Sequence, residues 1–470
     1  MLIAKPRKGK PTLSHFKPFK GKDYVVVELR YDSGVSVSAA GFKAPSAKER
    51  VASSLNSILA RFRVTSCASH FGLRDTTLRA RSVDAPSTMP RKVPPVFAQS
   101  GVLQVVPRRG RDCDELARRL NRHGSVWKAY KAPQPVPAAV SPNMEPCQGY
   151  LCSSPDGIGA MAAWEYWGGM GEGVAVCDIE GDWNFSHEDL PAVTHLGGDL
   201  LGGDWKDHGT AVLGEIVAKR NGYGAVGIAP KARPKVHSAV INGLWNTALA
   251  ITNAAGKMGA GDVILIELQG SHPATGEYVA MQYWDDVYSA IKAATEKGIT
   301  VVEAAGNGDQ DFQAAVYNGS NLQKDSGAIV VGAGVPPNNF YDHTQGSSTR
   351  YTKMGVPRSR AWFSNYGKIV NVQGWGEHVT TLGYGDAQTG AQNRWYTHRF
   401  SGTSSASPIV TGAVACLQGI AMYGDQAPLE PSEVRKILVS SGTPQADDPA
   451  RPKTEHIGPL PNLEKAITKI

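Results

Sequence analysis

The chain has 470 residues, of which 41% are hydrophobic and 19% charged, and its formal net charge is +7 at pH 7. This length leaves room for two or three domains, and the composition is that of an ordinary globular chain. No stretch reaches the roughly 18 apolar residues that a membrane-spanning helix needs. Six cysteines are too few for a disulfide scaffold at this length, although Cys147 and Cys152 are close enough in sequence to pair.

The beginning of the chain carries Lys, Pro and Gly with little periodicity, which predicts a flexible tail over residues 1–22. No apolar segment follows the charges of residues 1–10, so no secretory signal is visible. A cytoplasmic location and an unrecognised export route both stay open.

Charge is distributed unevenly along the chain. Residues 1–135 contain 26 Lys and Arg against 9 Asp and Glu, whereas the remainder contains 23 against 33. A basic segment of this kind can bind nucleic acid or a membrane surface. Because its basic residues are scattered and no aromatic-rich nucleic-acid motif accompanies them, we expect no nucleic-acid partner.

The basic segment also has regular apolar periodicity, which predicts a domain over residues 23–131. The predicted strands are Tyr24–Arg30, Arg63–Cys67, Val102–Val106 and Val126–Tyr130, and the predicted helices are Ser46–Phe62 and Asp112–His123. The resulting β-α-β-β-α-β order is the ferredoxin-like α+β arrangement. Residues 132–146 are rich in proline and predict an extended, exposed linker.

Residues 147–470 alternate apolar runs with helical patterns. The predicted strands are Val174–Asp178, Val236–Ile241, Val263–Glu267, Thr300–Ala304 and Ala328–Ala333; the predicted helices are His208–Lys219, Leu244–Lys257, Val279–Lys297, Ser404–Ala421 and Pro431–Ser440. This alternation predicts an α/β domain with a mainly parallel sheet covered by helices on both faces. Active sites of open α/β sheets lie beyond the carboxyl ends of the strands.

The run Gly402–Pro408 places a hydroxyl where a loop becomes a helix. Proline is tolerated in the first turn of a helix, so Pro408 predicts a helix start near Ser404. Backbone N–H groups and the positive end of the helix dipole favour negative charge beside Ser404. Acyl transfer needs that environment for its oxyanion, although an ordinary N-cap would also have Ser or Thr there.

Three upstream residues complete a possible catalytic set. Asp178 falls at the end of a predicted strand, His208 at the start of a helix, and Asn307 in a Gly-Asn-Gly turn. A hydroxyl becomes a good nucleophile when an imidazole takes its proton and a carboxylate orients that imidazole. Each residue alone is more often a cap or a turn residue. The four in this order favour catalysis.

These motifs resemble those of the subtilisin-like serine peptidases (subtilases). The matching blocks are Asp178–Leu190, His208–Gly214, Asn221–Pro230, Ala305–Gly308, Phe363–Gly367 and Gly402–Gly412, the fifth resembling the family's strand before the nucleophile. The segment Asp178-Ile-Glu-Gly181 departs from the family's usual Asp-Thr/Ser-Gly. The resemblance covers roughly residues 147–470 and implies a subtilisin-like fold.

The resemblance implies a serine endopeptidase acting on proteins or peptides, with no cofactor required for the chemistry. Ser404 would be the nucleophile, His208 the base and Asp178 the orienting carboxylate, and the Asn307 amide would bind the oxyanion together with the Ser404 N–H. The domain at 23–131 resembles the subtilase propeptide, which implies a zymogen inhibited by its own N-terminal domain. A catalytically silent binding protein with this fold, or an ester or transfer reaction, stays open.

Substrate contacts are implied by the same resemblance. Glu267, Leu268, Gln269 and Gly270 stand where subtilases have an edge that pairs with the substrate backbone, and the pair Ala305–Gly306 adjoins the Asn307 turn. The Glu267 carboxylate either favours basic substrate side chains or bonds locally and selects nothing, and Glu303 raises the same question.

A structural calcium ion is a further implication of the resemblance. Asp189 and Asn221 match positions that hold calcium in many subtilases, and oxygen ligands suit that ion.

Overall fold

The computed structural model of the protein describes residues 24–29, 35–38, 41–62, 64–69, 100–105, 112–131, 141–337, 355–423 and 426–470. The chain divides into two compact units, residues 1–135 and 136–470. The predicted tail at 1–22 lies outside the described residues, as do residues 132–140 of the predicted linker.

The smaller unit contains an antiparallel sheet and two helices. In chain order its elements are β1 (Tyr24–Leu29), β2 (Ser36–Ser38), β3 (Gly41–Lys43), α1 (Glu49–Leu59), β4 (Val64–Ser69), β5 (Ser100–Val105), α2 (Asp112–Asn121) and β6 (Val126–Lys131). The sheet order is β4-β5-β1-β6, and the short strands β2 and β3 pair with each other. The core lies between sheet and helices, where Val25 and Val27 pack with Leu55 and Leu116. The main strands and helices therefore follow the predicted β-α-β-β-α-β order, with β2 and β3 inserted after the first strand.

The larger unit is built on a seven-stranded sheet in which every pairing is parallel. Its strands, in spatial order, are β17 (Val370–Trp375), β16 (Ile329–Gly334), β15 (Thr300–Ala304), β12 (Val263–Ile266), β7 (Ala175–Glu180), β9 (Arg233–Ser238) and β8 (Thr194–Gly197). Short antiparallel pairs accompany it: β10 (Val240–Ile241) with β11 (Leu244–Trp245), β13 (Gln269–Ser271) with β14 (Tyr278–Ala280), and β18 (Val379–Leu382) with β19 (Tyr396–Phe400).

Helices cover both faces of this sheet. The helices are α3 (Ala160–Ala163), α4 (Asp204–Val217), α5 (Thr247–Ala255), α6 (Asp285–Glu296), α7 (Thr403–Ala421), α8 (Pro431–Ser441) and α9 (Leu463–Ala466). Side chains alternate along β7: Val176 joins the core with α4 and α7, whereas Cys177 and Ile179 join the core with α5 and α6. The predicted α/β fold with a parallel, doubly covered sheet is confirmed.

Several predicted boundaries shift once the tertiary structure forms. The predicted helix Val279–Lys297 begins only at Asp285, because its first residues belong to β14 and a 3-10 turn. The segment Phe363–Gly367 is not a strand; the strand that precedes the nucleophile helix is β19. Pro408 lies in the second turn of α7, not the first. Because proline has no N–H, position 408 cannot donate the helical hydrogen bond to the Ser404 carbonyl.

The end of the predicted linker belongs to the larger unit. Ser141 is buried, and the Met144 N–H donates to the Gly224 carbonyl at 2.7 Å. These contacts satisfy backbone groups that an extended linker would leave to water.

One helix among the described residues, Thr403–Ala421, has the length and apolar composition of a membrane-spanning segment. It is 83% buried within the larger unit, which is the position of a core helix.

None of the cysteines whose side chains the structure describes is part of a disulfide, so the possible pairing of Cys147 with Cys152 is not formed. Cys177 and Cys416 are fully buried among apolar neighbours, as expected for small core residues.

Candidate active site

Three parallel strands and two helices bring the candidate residues together at the carboxyl edge of the large sheet. Strands β7, β12 and β15 end there, while α4 carries His208 and α7 carries Ser404. His208 and Ser404 line one cavity of about 240 Å³; its wall also contains Asp204, Trp205, Glu267, Leu268, Gln269, Ala304, Tyr384 and Thr403. The site therefore lies where an open α/β sheet is expected to bind its ligand.

His208 is held by the close approach of α4 to the end of β7. The helix begins at Asp204, one turn earlier than predicted. The next residue, Gly209, makes the approach possible, because a Cβ there would lie 2.4 Å from the Asp182 carbonyl and 2.5 Å from Glu180 Oε2. The rings of Trp205 and Phe400 lie beside the imidazole, with centroids 6.4 Å and 5.3 Å away.

The carboxylate that meets His208 is Glu180, not Asp178. His208 Nδ1 contacts Glu180 Oε1, whereas Asp178 Oδ2 accepts a hydrogen bond from Trp183 Nε1 at 2.7 Å. This corrects the sequence-based assignment, and the reason is the length of the strand. β7 continues two residues beyond Asp178, so Glu180 is the last residue of the strand, at the sheet edge that α4 approaches. Alternation along the strand was the available signal, since residues two apart face the same way.

Burial dominates the electrostatics of this group. Asp178 and Glu180 are fully buried, and desolvation raises the pKa of both carboxyls well above their usual range. The His208 side chain is 25% exposed, and desolvation lowers its pKa to about 4 against the opposing effect of Asp178. A neutral imidazole is the form that can accept a proton.

Ser404 lies in the first turn of α7 and is partly exposed to the cavity. Gly402 precedes the helix with φ +103°, a conformation that L side chains rarely adopt. A Cβ at Gly402 would lie 3.3 Å from Asn307 Nδ2 and 3.4 Å from the Ser404 nitrogen. Glycine here keeps open the space between two N–H donors. The N–H groups of a first turn have no intrahelical acceptor and so are available to an anion.

The Asn307 amide is oriented by Thr403. Its Oδ1 accepts from the Thr403 N–H at 2.8 Å and from the Thr403 hydroxyl at 2.9 Å, which leaves Nδ2 as the outward donor. Asn365 holds the turn that carries it: its Nδ2 donates to the Ala305 carbonyl at 2.7 Å, and its Oδ1 accepts from the Gly308 N–H at 3.1 Å. The sequence pattern predicts a strand around Asn365 and gives no signal that its side chain holds the Asn307 turn.

The predicted substrate residues separate into two groups. Glu267, Leu268 and Gln269 line the cavity, and Gly270 follows in β13. Gly270 lies against an indole, since a Cβ there would be 2.0 Å from Trp284. Ala305 and Gly306 are not among the lining residues described; the preceding residue, Ala304, takes that place. Asp204, Trp205 and Tyr384 also line the cavity, and none of them was predicted.

Glu267 is bonded locally. It is 2% exposed, and its Oε2 lies 2.6 Å from the Ser407 hydroxyl, which is also 2.8 Å from the Thr403 carbonyl. The Ser407 hydroxyl is the donor in both contacts, so its one hydrogen is shared between Glu267 Oε2 and the Thr403 carbonyl, and Glu267 Oε1 is buried without a donor. Desolvation raises the pKa of Glu267 well above its usual range, consistent with that arrangement.

Glu303 lies behind the cavity. It is fully buried, and its Oε1 accepts from the Gln282 N–H at 2.7 Å. It is not among the described residues that line the cavity.

The predicted calcium residues lie together, but their oxygens already accept protein hydrogen bonds. Asp189 Oδ1 accepts from Asn221 Nδ2 at 2.7 Å, and Oδ2 accepts from the Ala225 N–H at 2.9 Å. Asn221 Oδ1 accepts from the Tyr223 N–H, which fixes the amide with its donor side toward Asp189. Among the described residues there is no cluster of three His, Cys, Asp or Glu that could hold a metal ion. A cation needs oxygens facing it, so this arrangement does not fit calcium.

Comparison with known proteins agrees with the fold and the motifs. The family model described as the subtilase family, peptidase S8, matches residues 171–456, which is more than half of the chain. The chain belongs to the subtilase family. This confirms the predicted resemblance to subtilisin-like serine peptidases.

Individual relatives of this subtilase are distant. A subtilisin-like protease of Coccidioides posadasii is 25% identical over 301 residues, which cover 62% of this chain and 54% of that protein. The major intracellular serine protease of Bacillus subtilis is 26% identical over 313 residues, covering 62% of this chain and 83% of the relative. A solved protease of Pseudoalteromonas arctica matches with a TM-score of 0.50 at 20% identity, covering 70% of this chain and 99% of that one. This last match supports the fold alone.

Proposed function

We propose that this subtilase is a serine endopeptidase that hydrolyses peptide bonds through Ser404, His208 and Glu180. The observation that carries the proposal is the contact of His208 Nδ1 with a buried carboxylate, while the same histidine and Ser404 line one cavity. Family membership supports this reading, since the relatives named above are called proteases.

The proposed reaction uses each group in a separate role. Ser404 Oγ attacks the scissile carbonyl, and neutral His208 accepts its proton at Nε2 and returns it to the leaving amine. Glu180 holds the Nδ1–H tautomer and stabilises the imidazolium form. The developing oxyanion is bound by Asn307 Nδ2 and the Ser404 N–H, both of which lie close to the position that a Cβ at Gly402 would take. Hydrolysis of the acyl-enzyme repeats these steps with water as the nucleophile.

Covalent labelling with a fluorophosphonate probe tests the proposal directly. The wild-type chain should be labelled and should cleave a casein-type substrate, and Ser404→Ala should lose both activities. Ser401→Ala is a matched control, because Ser401 is an exposed hydroxyl next to the same helix and should change neither. Equal labelling of Ser404→Ala would exclude Ser404 as the nucleophile. A well-folded wild-type chain without labelling or cleavage would favour the silent binding protein.

Substrate side-chain preference follows from the state of Glu267. Leu268 and the edge formed by Gln269 and Gly270 are proposed to contact the substrate backbone and its primary side chain. Because Glu267 is buried and bonded to Ser407, we expect a peptide-library profile without a basic preference, unchanged in Glu267→Gln. A strong preference for Lys or Arg that is lost in Glu267→Gln would contradict this.

We also propose that the N-terminal unit is an inhibitory propeptide and that residues 132–146 contain the processing region. The support is its β-α-β-β-α-β element order and its positive charge, opposite in sign to the rest of the chain. Opposite charges favour association of two surfaces and make it sensitive to salt. A separately made fragment 1–135 should inhibit the processed enzyme, less strongly at high salt. Mass spectrometry of the wild-type chain beside Ser404→Ala should show cleavage only in the wild type.

A further inference from the structure

We infer that Asp178 is a proton-holding positioning residue, which donates a hydrogen bond to Glu180 so that Glu180 alone meets His208 as a carboxylate. This inference rests on the proposed function, because it concerns how the orienting carboxylate of that site is kept ionised. It assigns Asp178 a role different from the direct contact with His208 that the sequence predicts.

The geometry places the two acids side by side. They are two residues apart on β7, so both side chains leave the same face of the strand. Both are fully buried. Each has one oxygen with an outside partner: Asp178 Oδ2 accepts from Trp183, and Glu180 Oε1 meets His208. The other oxygens, Asp178 Oδ1 and Glu180 Oε2, are buried without a donor.

A single proton between the two carboxyls removes both of these deficits. Buried polar atoms are nearly always hydrogen-bonded, and two neighbouring carboxylates cannot both stay ionised in an apolar site. The two carboxyl groups are two residues apart on the same strand, and each shifts the pKa of the other. If one of them is protonated, its O–H donates to the other, and every oxygen of the pair then has a partner.

The surrounding groups favour one shared negative charge. Five other titratable groups interact electrostatically with the pair. They are Asp182 after β7, His208 on α4, Glu267 after β12, Cys177 on β7 and Tyr384 after β18. Only the histidine among them can carry a positive charge. A second negative charge on the pair would therefore be disfavoured, because His208 is the only one of these neighbours that can carry a compensating positive charge.

The proton belongs on Asp178. Desolvation and the neighbouring Glu180 charge raise the pKa of Asp178, against the smaller effects of Trp183 and His208, and the hydrogen bond with Glu180 raises it further. Desolvation also raises the pKa of Glu180, but there the hydrogen bond with Asp178 acts in the opposite direction. The outside partners agree with this assignment. Asp178 Oδ2 needs only to accept from Trp183, whereas Glu180 must accept from His208 Nδ1–H. A protonated Glu180 would instead donate to Nδ1, which would leave the proton on Nε2 and block the acceptance of the Ser404 proton.

Asparagine at position 178 is the sharpest test, because its amide copies a protonated Asp in shape and in hydrogen bonding. Its oxygen can accept from Trp183 and its NH₂ can donate to Glu180. We expect Asp178→Asn to keep kcat/KM within about tenfold of the wild type, which corresponds to a free-energy loss of less than about 1.4 kcal/mol. Glu180→Gln should lose about 10⁴-fold, as expected when the orienting carboxylate becomes an amide.

Asp178→Leu removes the donor without a replacement. It should lower kcat/KM by about 10- to 100-fold, the effect of losing a hydrogen bond to a charged group. The acidic limb of its pH profile should also move to higher pH, because Glu180 then binds its proton more easily. The opposite pattern, with Asp178→Asn inactive and Glu180→Gln active, would overturn the inference and restore Asp178 as the direct partner of His208.

A second measurement does not depend on activity. In the Ser404→Ala background, a carboxyl whose pKa is raised in the folded state stabilises the protein at low pH and loses that contribution as pH rises. The urea midpoint of Asp178→Asn relative to the parent should therefore increase between pH 5 and pH 8. A constant or decreasing difference would mean that Asp178 and Glu180 hold no proton between them in the folded protein. If the wild-type chain proves to be inactive, the proposed function fails, and this measurement still decides whether the pair holds a proton.

Discussion

Glu303 provides a quantitative test of how burial affects this site. Its side chain is fully buried at the end of β15, and desolvation raises its pKa to about 8, against the hydrogen bond from the Gln282 N–H. Its Oε2 is buried without a donor, which suits a protonated carboxyl. Because the folded-state pKa is the higher one, the stabilisation is complete below the unfolded-state pKa and is lost as pH rises toward 8. Linkage gives a loss of about 3 kcal/mol between pH 5 and pH 8.

The substitution Glu303→Gln keeps the acceptor for Gln282 and removes the titration. We expect the variant and its parent to be similarly stable at pH 5, and the variant to be more stable at pH 8. Urea unfolding followed by tryptophan fluorescence, with Ser404→Ala as the parent to prevent self-cleavage, measures the difference at each pH. Glu296→Gln is the matched control, because Glu296 is exposed on the preceding helix and should show no such trend. A pH-independent difference in stability between Glu303→Gln and its parent would contradict the raised pKa of Glu303 in the folded protein.

Three further predictions concern the oxyanion turn, the ion pairs of a buried arginine and the calcium residues. Asn307→Ala should lower kcat by about 10²- to 10³-fold with little change in KM, because it removes a donor used only in the transition state; a change confined to KM in steady-state kinetics would argue against that role. Arg360 is 5% exposed and bonds Asp309, which is 57% exposed, and Glu455, which is 23% exposed. Because neither partner is left as a fully buried charge, Arg360→Met should lower the free energy of unfolding by about 2 kcal/mol in urea titrations. An unchanged midpoint would show that the pairs contribute nothing net. EDTA should leave Tm unchanged, because the oxygens of Asp189 already accept protein hydrogen bonds; a lower Tm restored by added calcium would contradict the fit.

Much of the fold could be predicted because local patterns and tertiary structure agree. The apolar run of Thr300–Ala304 has the same bounds in the structure, and Ser404–Ala421 gains only Thr403. These segments are almost entirely buried, so their continuous apolar character reflects their final environment. The segment Val279–Lys297 was less predictable, because a strand pair and a 3-10 turn take its first residues from the helix.

The site residues show the same division. The motifs around His208, Asn307 and Ser404 indicate chemistry because each places a suitable group at a helix start or a tight turn. The choice between Asp178 and Glu180 could not be made from a motif, since it depends on where β7 ends and how closely α4 approaches it.

The sequence by itself therefore determined the subtilase family, the parallel α/β architecture and three of the four groups proposed for catalysis. Residue type, order and local periodicity carry that information, and all three can be taken from the sequence without knowing which residues are neighbours in the folded protein. The tertiary structure was needed to show which acid meets the histidine, what holds the Asn307 amide and that Glu267 is buried and bonded to Ser407. Those outcomes depend on contacts between residues far apart in the chain and on burial, which determines whether a carboxyl carries its charge.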